Sequence, residues 1–365
     1  MKIIIVLPDL GGGGAERLHV YLANDWINRG FCVEFVVMRK GGELITLLDS
    51  SIKVTVLNVK RIGALIIPLS LHLYKSRPQI VLAAMWPLTS ATIFAWLLSG
   101  RSGKLFLSDH ENLTLSYLDQ RRTKANFLRK LIQFTYPFAS GVIAVSSGVK
   151  QDLCLLGKLT SDKVRVIYNP AAIGVSPVRE TDTVRKQLWE GIFTHHILSV
   201  GRLAVQKDQA TLIKAFSMLP KEIDAKLIIL GDGPLKGDLL ELVSKLGIER
   251  NVSFPGFVAD PYPWFRSADL FVLPSRWEGF GNVLVESLEC GLPVVSTDCP
   301  SGPAEILENG RYGKLVAVQD PIAMAAAIVQ SLNIKHDREA LMLRAQDFSV
   351  RKISDEYLEY ISTKN

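Results

Sequence analysis

The sequence is poor in cysteine, and its four cysteines are scattered without the spacing of a metal site. Lone thiols of this kind are typical of proteins in a reducing compartment. The chain also lacks internal repeats and low-complexity segments, and its 48% hydrophobic and 21% charged residues are ordinary for a globular protein. A cysteine-based metal centre and a disordered chain are therefore not expected.

Long hydrophobic runs are missing as well. The longest apolar stretch, residues 83–98, contains Pro87 and is too short to span a bilayer. Residues 1–8 are basic and then apolar, but a glycine cluster follows them instead of a small-residue cleavage site. We therefore expect a buried first strand, no signal peptide, no membrane span and a cytoplasmic protein.

Charge is unevenly divided along the chain. Residues 1–175 contain 21 Lys and Arg against 11 Asp and Glu, a net charge of +10, whereas residues 176–365 have 21 against 25, a net of −4. A basic half beside an acidic half predicts that only the first half meets a polyanion or an anionic membrane surface.

Strand and helix patterns alternate throughout, which predicts an α/β chain with parallel sheets covered on both faces. The first strand runs into the glycines of residues 11–14 and then an amphipathic helix, as in a Rossmann-like sheet. Further strands are predicted at residues 31–37, 54–57, 79–84, 105–108, 141–146, 164–170, 197–203, 226–230, 252–257, 268–275 and 294–298. The glycine run lacks the G-x-G-x-x-G spacing, so NAD binding is not expected.

A segment rich in small residues and proline, residues 171–182, is the predicted linker. We therefore expect a Rossmann-like N-terminal domain at 1–175 and a second Rossmann-like domain at 176–345. Residues 346–365 are predicted to form a C-terminal helix that packs back on the N-terminal domain.

The chain is organised around residues 276–286, which read as a glycine-rich turn between a buried strand and a helix. Glu278 lies in the turn and Glu286 lies inside the helix. A carboxylate near a helix N-terminus can accept hydrogen bonds from the vicinal hydroxyls of a ribose or hexose. Taken alone, the two residues are better explained structurally, with Glu278 as a solvent-exposed turn residue and Glu286 as a surface helix residue.

Two other features have a functional and a structural interpretation. His110 follows the strand at 105–108, where parallel sheets bind ligands, but a lone histidine is usually structural. In residues 120–134, Phe127, Leu128, Leu131 and Ile132 fall at helical spacing, typical either of a helix lying on anionic lipid or of a packed surface helix. The basic residues of that segment are Arg121, Arg122, Lys124, Arg129 and Lys130.

In order and spacing, several motifs together resemble the retaining GT-B glycosyltransferases of family 4, the group 1 glycosyl transferases, over nearly the whole chain. They are Gly-Gly-Ala-Glu at residues 13–16, His110, Val-Gly-Arg-Leu at 200–203 with Lys207, Gly-Asp-Gly-Pro at 231–234, and Glu278 with Glu286. The resemblance implies the GT-B fold, with two Rossmann-like domains facing each other across a cleft.

The same resemblance implies residue roles. Arg202 and Lys207 stabilise the diphosphate that leaves, Glu286 holds the ribose, and Glu278 contacts the donor sugar. His110 lies beside the reacting sugar, and the glycine run at residues 12–14 lets the first loop approach closely. The implied catalytic residues are Glu278, His110, Arg202 and Lys207. The implied donor-binding residues are Gly13, Gly14, Arg202, Lys207, Glu278, Gly279, Phe280, Gly281, Asn282, Val283 and Glu286. No metal and no cofactor are expected.

The implied function is transfer of a hexose or N-acetylhexosamine from a UDP-sugar to a polyprenyl-diphosphate-linked glycan, in polysaccharide, O-antigen or glycoprotein-glycan assembly. Such an enzyme works at an anionic membrane, on the cytoplasmic face of the inner membrane, with no nucleic-acid partner and with retention by same-face substitution. Ser-Gly-Pro-Ala-Glu at 301–305 replaces the frequent Gly-Gly-x-x-Glu and resembles bacterial surface-glycan enzymes, which leaves the donor open. A sugar-nucleotide epimerase, a phosphorylase and a non-catalytic sugar-nucleotide-binding protein remain as alternatives.

Overall fold

The computed structural model of the protein describes residues 1–117, 122–189, 191 and 193–363, with backbone alone at 122–125. The chain divides into two compact units. Unit 1 comprises residues 1–170 with 350–365, and unit 2 comprises residues 171–349. The boundaries thus differ by four or five residues from the expected 175/176 and 345/346.

Unit 1 alternates strands and helices along most of its length. Its elements in chain order are β1 (Lys2–Leu7), α1 (Gly14–Asn28), β2 (Cys32–Val37), β3 (Lys53–Val56), α2 (Ile62–Ser76), β4 (Ile80–Ala84), α3 (Leu88–Leu98), β5 (Lys104–Asp109), α4 (Leu113–Tyr117), α5 (Arg122–Thr135), β6 (Gly141–Ala144), α6 (Ser147–Gly157) and β7 (Val164–Val166). Short 3₁₀ helices lie at Glu43–Leu47 and Tyr136–Phe138.

Within the described residues these strands form one parallel sheet in the order β3-β2-β1-β4-β5-β6-β7. Residues 3–7 of β1 have no solvent exposure, because helices cover both faces of a parallel sheet and every side chain of a central strand is buried. The strand order reverses between β1 and β4. The loops that follow β1 and β5 therefore emerge at the same carboxyl edge, where such sheets bind ligands.

Unit 2 repeats the pattern. Its elements in chain order are α7 (Asp182–Trp189), β8 (His195–Val200), α8 (Gln209–Ser217), β9 (Ala225–Leu230), α9 (Lys236–Lys245), β10 (Val252–Gly256), α10 (Tyr262–Ser267), β11 (Leu270–Leu273), α11 (Asn282–Glu289), β12 (Val294–Thr297), α12 (Pro303–Ile306), β13 (Lys314–Val316), α13 (Pro321–Leu332) and α14 (Arg338–Gln346). A 3₁₀ helix lies at Val205–Lys207.

The sheet of unit 2, within the described residues, is parallel in the order β10-β9-β8-β11-β12-β13. Its strand order reverses between β8 and β11, which are hydrogen-bonded neighbours although they lie far apart in sequence. The loops that follow these two strands are consequently adjacent at the carboxyl edge of the sheet. One carries Lys207 and the other carries Glu278.

The last helix, α15 (Val350–Thr363), belongs to unit 1 and packs against α1. Trp26 of α1 is fully buried, donates a hydrogen bond from its indole to Ser354 Oγ at 2.9 Å, and meets the ring of Tyr357 at a centroid distance of 6.3 Å. Among the described helices none is long and apolar enough to cross a membrane.

Candidate functional site

In unit 2, the loops after β8 and β11 bring Lys207 and Glu278 together. Lys207 Nζ lies 2.6 Å from Glu278 Oε1, and the glutamate is only 5% exposed. Glu278 is therefore not the solvent-exposed turn residue of the structural interpretation. A carboxylate at this depth requires a charged or hydrogen-bonding partner, and the lysine supplies both.

Further hydrogen bonds fix the position of the Glu278 carboxylate. Ser275 Oγ donates to the same Oε1 at 2.6 Å, and the Glu278 amide donates to the Pro300 carbonyl at 3.2 Å. Thr297 Oγ1 in turn donates to the Ser275 carbonyl. The carboxylate is thus held by a short network that links β11, the loop after it and the end of β12.

A second pair of charges joins the same two loops. Arg276 Nε lies 3.3 Å from Asp208 Oδ2, and the Arg276 amide donates to the Gln206 carbonyl at 2.8 Å. The Gln206 side chain donates to the Trp277 carbonyl at 3.0 Å. These contacts hold the Lys207 loop against the Glu278 loop, so the ion pair rests on a rigid backbone.

The helix that carries Glu286 begins directly after the Glu278 turn. Gly281, the residue before α11, has a φ of 100°, a left-handed conformation that favours glycine. A side chain at Gly302 would collide with the Phe280 carbonyl, so that glycine is required by a close backbone approach. The Phe280 ring is buried and meets the ring of Phe348 edge to face at a centroid distance of 5.4 Å.

Glu286 is half-buried, one turn into α11, and Val283 is half-buried near the start of the helix. The first turn of a helix presents backbone N–H groups and the positive end of the helix dipole, which favour an anion. The residues at 278–286 to which the resemblance assigns donor binding therefore lie on one continuous turn and helix start.

Arg202 differs from Lys207. It is exposed, and its guanidinium has no hydrogen-bond or ion-pair partner within the described residues. The structure brings its backbone into the network, because Gln209 donates from its side-chain amide to the Arg202 carbonyl at 3.0 Å. The side chain itself is not joined to the Lys207–Glu278 pair.

In unit 1, His110 follows β5 and is partly buried. Its Nε2 lies 3.0 Å from Ser108 Oγ, and its ring meets that of His19 on α1 edge to face at 5.2 Å. Burial holds the pKa of His110 well below its ordinary value, and the neighbouring His19 lowers it further. His19 is fully buried, and its pKa is lowered to about 4 for the same reason. Both rings are therefore neutral at pH 7.

The glycine loop of unit 1 leads into α1 close to these histidines. Gly12, Gly13 and Gly14 are exposed, and a side chain at Gly13 would meet the Glu16 carboxylate. Burial raises the pKa of Glu16, and the nearby carboxylates of Asp9 and Glu111 raise it further. Within unit 1, the loop, His19 and His110 thus meet at the carboxyl edge of the sheet.

Sequence reasoning missed two groups beside these sites. The sequence placed Ser275 at the end of a strand and did not predict its hydrogen bond to Glu278. The only indication of that bond was a hydroxyl side chain three residues before the glutamate. Asp109 is 1% exposed and accepts a hydrogen bond from Tyr136 OH at 2.8 Å. Burial raises its pKa to about 7. No sequence pattern indicated that Tyr136, far along the chain, would be its partner.

Some side chains of the basic segment, residues 120–134, are buried in the structure and others are exposed. Leu128 and Ile132 of α5 are buried in unit 1, so they are not available to lipid, whereas Phe127, Arg129 and Lys130 are exposed. Arg121 lies outside the described residues, as do the side chains of Arg122 and Lys124. The described part of the chain also holds no cluster of three His, Cys, Asp or Glu side chains suited to a metal ion.

Two family models match the chain. Glycosyltransferase Family 4 matches residues 12–173, and Glycosyl transferases group 1 matches residues 194–333. A Campylobacter jejuni enzyme, N-acetylgalactosamine-N,N'-diacetylbacillosaminyl-diphospho-undecaprenol 4-alpha-N-acetylgalactosaminyltransferase, is 29% identical over 385 residues, with 99% of both chains covered. A second C. jejuni protein, an alpha-1,4-N-acetyl-D-galactosaminyltransferase whose name gives a glycan on PP-undecaprenol, is 27% identical and covers 99% of this chain and 98% of its own.

Among solved structures, Anabaena Alr3699/HepE in complex with UDP superimposes with a TM-score of 0.82 over 100% of both chains, at 24% identity. The likeness shows a shared fold. The two parallel sheets match those of GT-B glycosyltransferases. With one family model on each half of the sequence, the chain belongs to the group 1 glycosyltransferases of family 4 and has the GT-B fold.

Proposed function

We propose that this glycosyltransferase moves a hexose or N-acetylhexosamine, with retention, from a UDP-sugar to a lipid-linked glycan. The observation that carries the proposal is the buried Lys207–Glu278 pair, which joins a cation and a hydroxyl-binding carboxylate beside the start of α11. A nucleotide sugar has both matching parts, a diphosphate and a ring of hydroxyls.

Lys207 and Arg202 would stabilise the charge that develops on the departing diphosphate. The ammonium of Lys207 has three N–H donors. One donates to Glu278, and two can donate to phosphate oxygens. Arg202 is exposed on the same loop and offers a planar fork suited to phosphate. The N-terminus of α11 adds a positive dipole.

The two carboxylates would hold the sugar and the ribose. Ser275 and Lys207 fix Oε1 of Glu278, so the carboxylate can accept donor-sugar hydroxyls without reorganising. Glu286, one turn along α11, would accept the ribose hydroxyls. The structure of Anabaena HepE is a complex with UDP, so UDP is the first nucleotide to test.

His110 would contact the reacting sugar as a neutral ring. Because burial holds its pKa far below 7, it would serve as a hydrogen-bond partner and not as a cation. In the proposed step the bond from the anomeric carbon to the diphosphate breaks, and the acceptor oxygen bonds on the same face. The acceptor proton passes to the departing phosphate oxygen.

The lipid-linked acceptor is supported by the two C. jejuni relatives, whose names give undecaprenol-linked glycans. Those names also specify α-linked products. A retaining enzyme gives an α-linked product when its sugar-nucleotide donor is α-linked, because the anomeric configuration is kept. The net +10 charge of residues 1–175, with exposed Arg129 and Lys130 on α5, supports an anionic membrane surface as the place of work.

The test is transfer from UDP-linked glucose, galactose, GlcNAc and GalNAc to short undecaprenyl-diphosphate glycans, with the product anomer assigned by NMR. We expect an α-linked product from one donor, formed about a hundredfold to a thousandfold more slowly by Lys207→Ala. No product from any donor would refute the proposal. Turnover with inorganic phosphate, or nucleotide release without acceptor, would favour the phosphorylase or epimerase alternative.

A further inference from the structure

Three neighbouring helices of unit 1 expose large apolar side chains. Ile67, Leu71 and Tyr74 on α2 are 60%, 55% and 59% exposed, Leu98 on α3 is 63% exposed, and Phe134 on α5 is 63% exposed. On α2 the spacing of four and three residues places its three side chains on one stripe of the helix. Exposed apolar groups collected in this way mark an interaction surface.

The three helices are neighbours in the fold. Helix α3 contacts both α2 and α5. Phe94 of α3 stacks on Phe134 of α5 at a centroid distance of 6.4 Å, and Phe134 meets Phe138 at 6.1 Å. We call this surface, formed by the exposed side chains of α2, α3 and α5, the three-helix face.

The charge around the three-helix face has one sign. Residues 50–108, which include α2 and α3, contain seven Lys and Arg and no Asp or Glu. Residues 120–151, which include α5, contain six Lys and Arg and again no acidic residue. By contrast, α1 and α15, which pack together in the same unit, contain two and three acidic residues. The absence of acidic residues is therefore a feature of the sequence segments that carry this face.

The basic groups lie at the ends and margins of the apolar stripe. Lys60 and Arg61 are exposed at the start of α2, Lys75 and Arg77 are exposed at its end, and Arg129 and Lys130 are exposed on α5. Apolar side chains with a basic margin suit the headgroup region of an anionic bilayer, where the chains enter the acyl boundary and the cations meet phosphate.

A second copy of the chain fits this face less well. A two-fold dimer would place the same patch of both copies together, so the basic margins would face each other with no acidic group on either side. An anionic lipid surface supplies the missing negative charge.

We propose that the three-helix face docks on an anionic bilayer, with Leu71, Leu98 and Phe134 inserted into the interface. The buried side of α5 takes no part. The inference adds a membrane-docking surface to the proposed transfer onto a lipid-linked glycan. It rests on that proposed function only for the biological purpose of docking, since docking itself is measured without any sugar donor.

The experiment is flotation of the full chain with vesicles of equimolar phosphatidylglycerol and phosphatidylethanolamine. Leu71→Ser/Leu98→Ser is compared with a matched control, Ile322→Ser/Leu343→Ser, whose side chains are 72% and 73% exposed in unit 2. We expect the first variant to lose at least about tenfold in partitioning, and the control to float as the wild type does. Arg129→Gln/Lys130→Gln should weaken binding in the same direction.

A wild type that stays with the unbound fraction, or a first variant that floats as well as the wild type, would overturn the proposal. The proposal would also be overturned if light scattering showed a dimer for the wild type and a monomer for Leu71→Ser/Leu98→Ser. Transfer to a water-soluble acceptor should stay within about twofold in that variant, because its substitutions lie on the surface. If the wild type transferred sugar to no acceptor, the proposed function would be wrong. The flotation result would still show whether the three-helix face docks on the bilayer.

Discussion

Tyr136 OH donates a 2.8 Å hydrogen bond to Asp109 Oδ2, directly before His110 in the chain, and both side chains are almost completely buried. The same phenol oxygen lies 2.9 Å from Thr89 Oγ1. Burial raises the pKa of the Asp109 carboxyl from 3.8 to about 7, although the bond from Tyr136 opposes the rise. The residue next to a candidate site histidine thus titrates near neutral pH.

The first prediction follows from that pKa. Between about pH 4 and pH 7 the folded protein keeps a proton on Asp109 that the unfolded chain releases, so the Asp109 contribution to the free energy of unfolding falls as pH rises. Asp109→Asn should remove this loss and keep an acceptor for Tyr136. The variant should therefore be more stable than the wild type at about pH 8, by on the order of a few kcal/mol, with the difference shrinking toward about pH 4.

Melting temperatures of both proteins across this pH range measure the difference. The low pKa values of His19 and His110 act in the opposite sense, because the unfolded chain binds those protons first as pH falls. Their contributions are common to both proteins and cancel. An exposed carboxylate in the same unit, Glu43→Gln, is the control. A pH-independent difference between Asp109→Asn and the wild type would contradict the raised pKa.

The second prediction concerns the Lys207–Glu278 pair. Lys207→Ala should lower kcat by about a hundredfold to a thousandfold, because a preorganised cation is lost from the leaving group. It should also destabilise unit 2 by about 1–3 kcal/mol, since Glu278 would stay buried without its cation. Steady-state kinetics and thermal unfolding measure the two effects. Lys214→Ala, at an exposed position of α8, should change neither, and near-normal turnover in Lys207→Ala would remove the proposed role.

The third prediction concerns nucleotide selectivity. Calorimetry should show UDP binding more tightly than GDP or ADP, and Glu286→Ala should weaken UDP by about 1.5–3 kcal/mol through loss of hydrogen bonds to a charged acceptor. Glu241→Ala, whose carboxylate pairs with Lys245 on an exposed helix, is the matched control. A preference for GDP or ADP would replace the UDP part of the proposal. Equal affinities in Glu286→Ala and the wild type would remove the ribose role.

The fourth prediction is that transfer needs no divalent metal. In the proposed site, Lys207, Arg202 and the N-terminus of α11 would supply positive charge where a metal-dependent enzyme would hold a cation. After exhaustive dialysis against EDTA, activity should remain within about twofold of the untreated enzyme. A loss that magnesium or manganese restores would show that the metal-independent assignment is wrong.

Much of the fold was predictable because buried parallel strands leave continuous apolar runs in the sequence. The strand over residues 3–7 and the helix from Asn282 to Glu289, with its glycine stop at Gly291, are clear examples. The strand order was not predictable from the runs, since it depends on which strands pair across long sequence distances. It is this order that places β8 beside β11.

The identity of the site residues was predictable from the sequence, whereas the contacts between them were not. Glu278 and Lys207 were recognisable from their motifs, but their 2.6 Å ion pair depends on how two loops pack together, since the two residues lie 71 positions apart in the chain. Helical spacing gave α5 an apolar stripe of Phe127, Leu128, Leu131 and Ile132, yet periodicity does not say which part of a stripe meets the protein core. The structure buries Leu128 and Ile132 and leaves Phe127 exposed.

The return of α15 to unit 1 makes the first half of the gene an incomplete fragment. A product ending near residue 170 would leave Trp26 without Tyr357 and Ser354, exposing core that α15 covers in the full chain. During synthesis, residues 171–349 emerge before α15 does, so unit 2 has its whole sequence before unit 1 can close. A separately folding first unit therefore requires residues 350–365 to be joined to it.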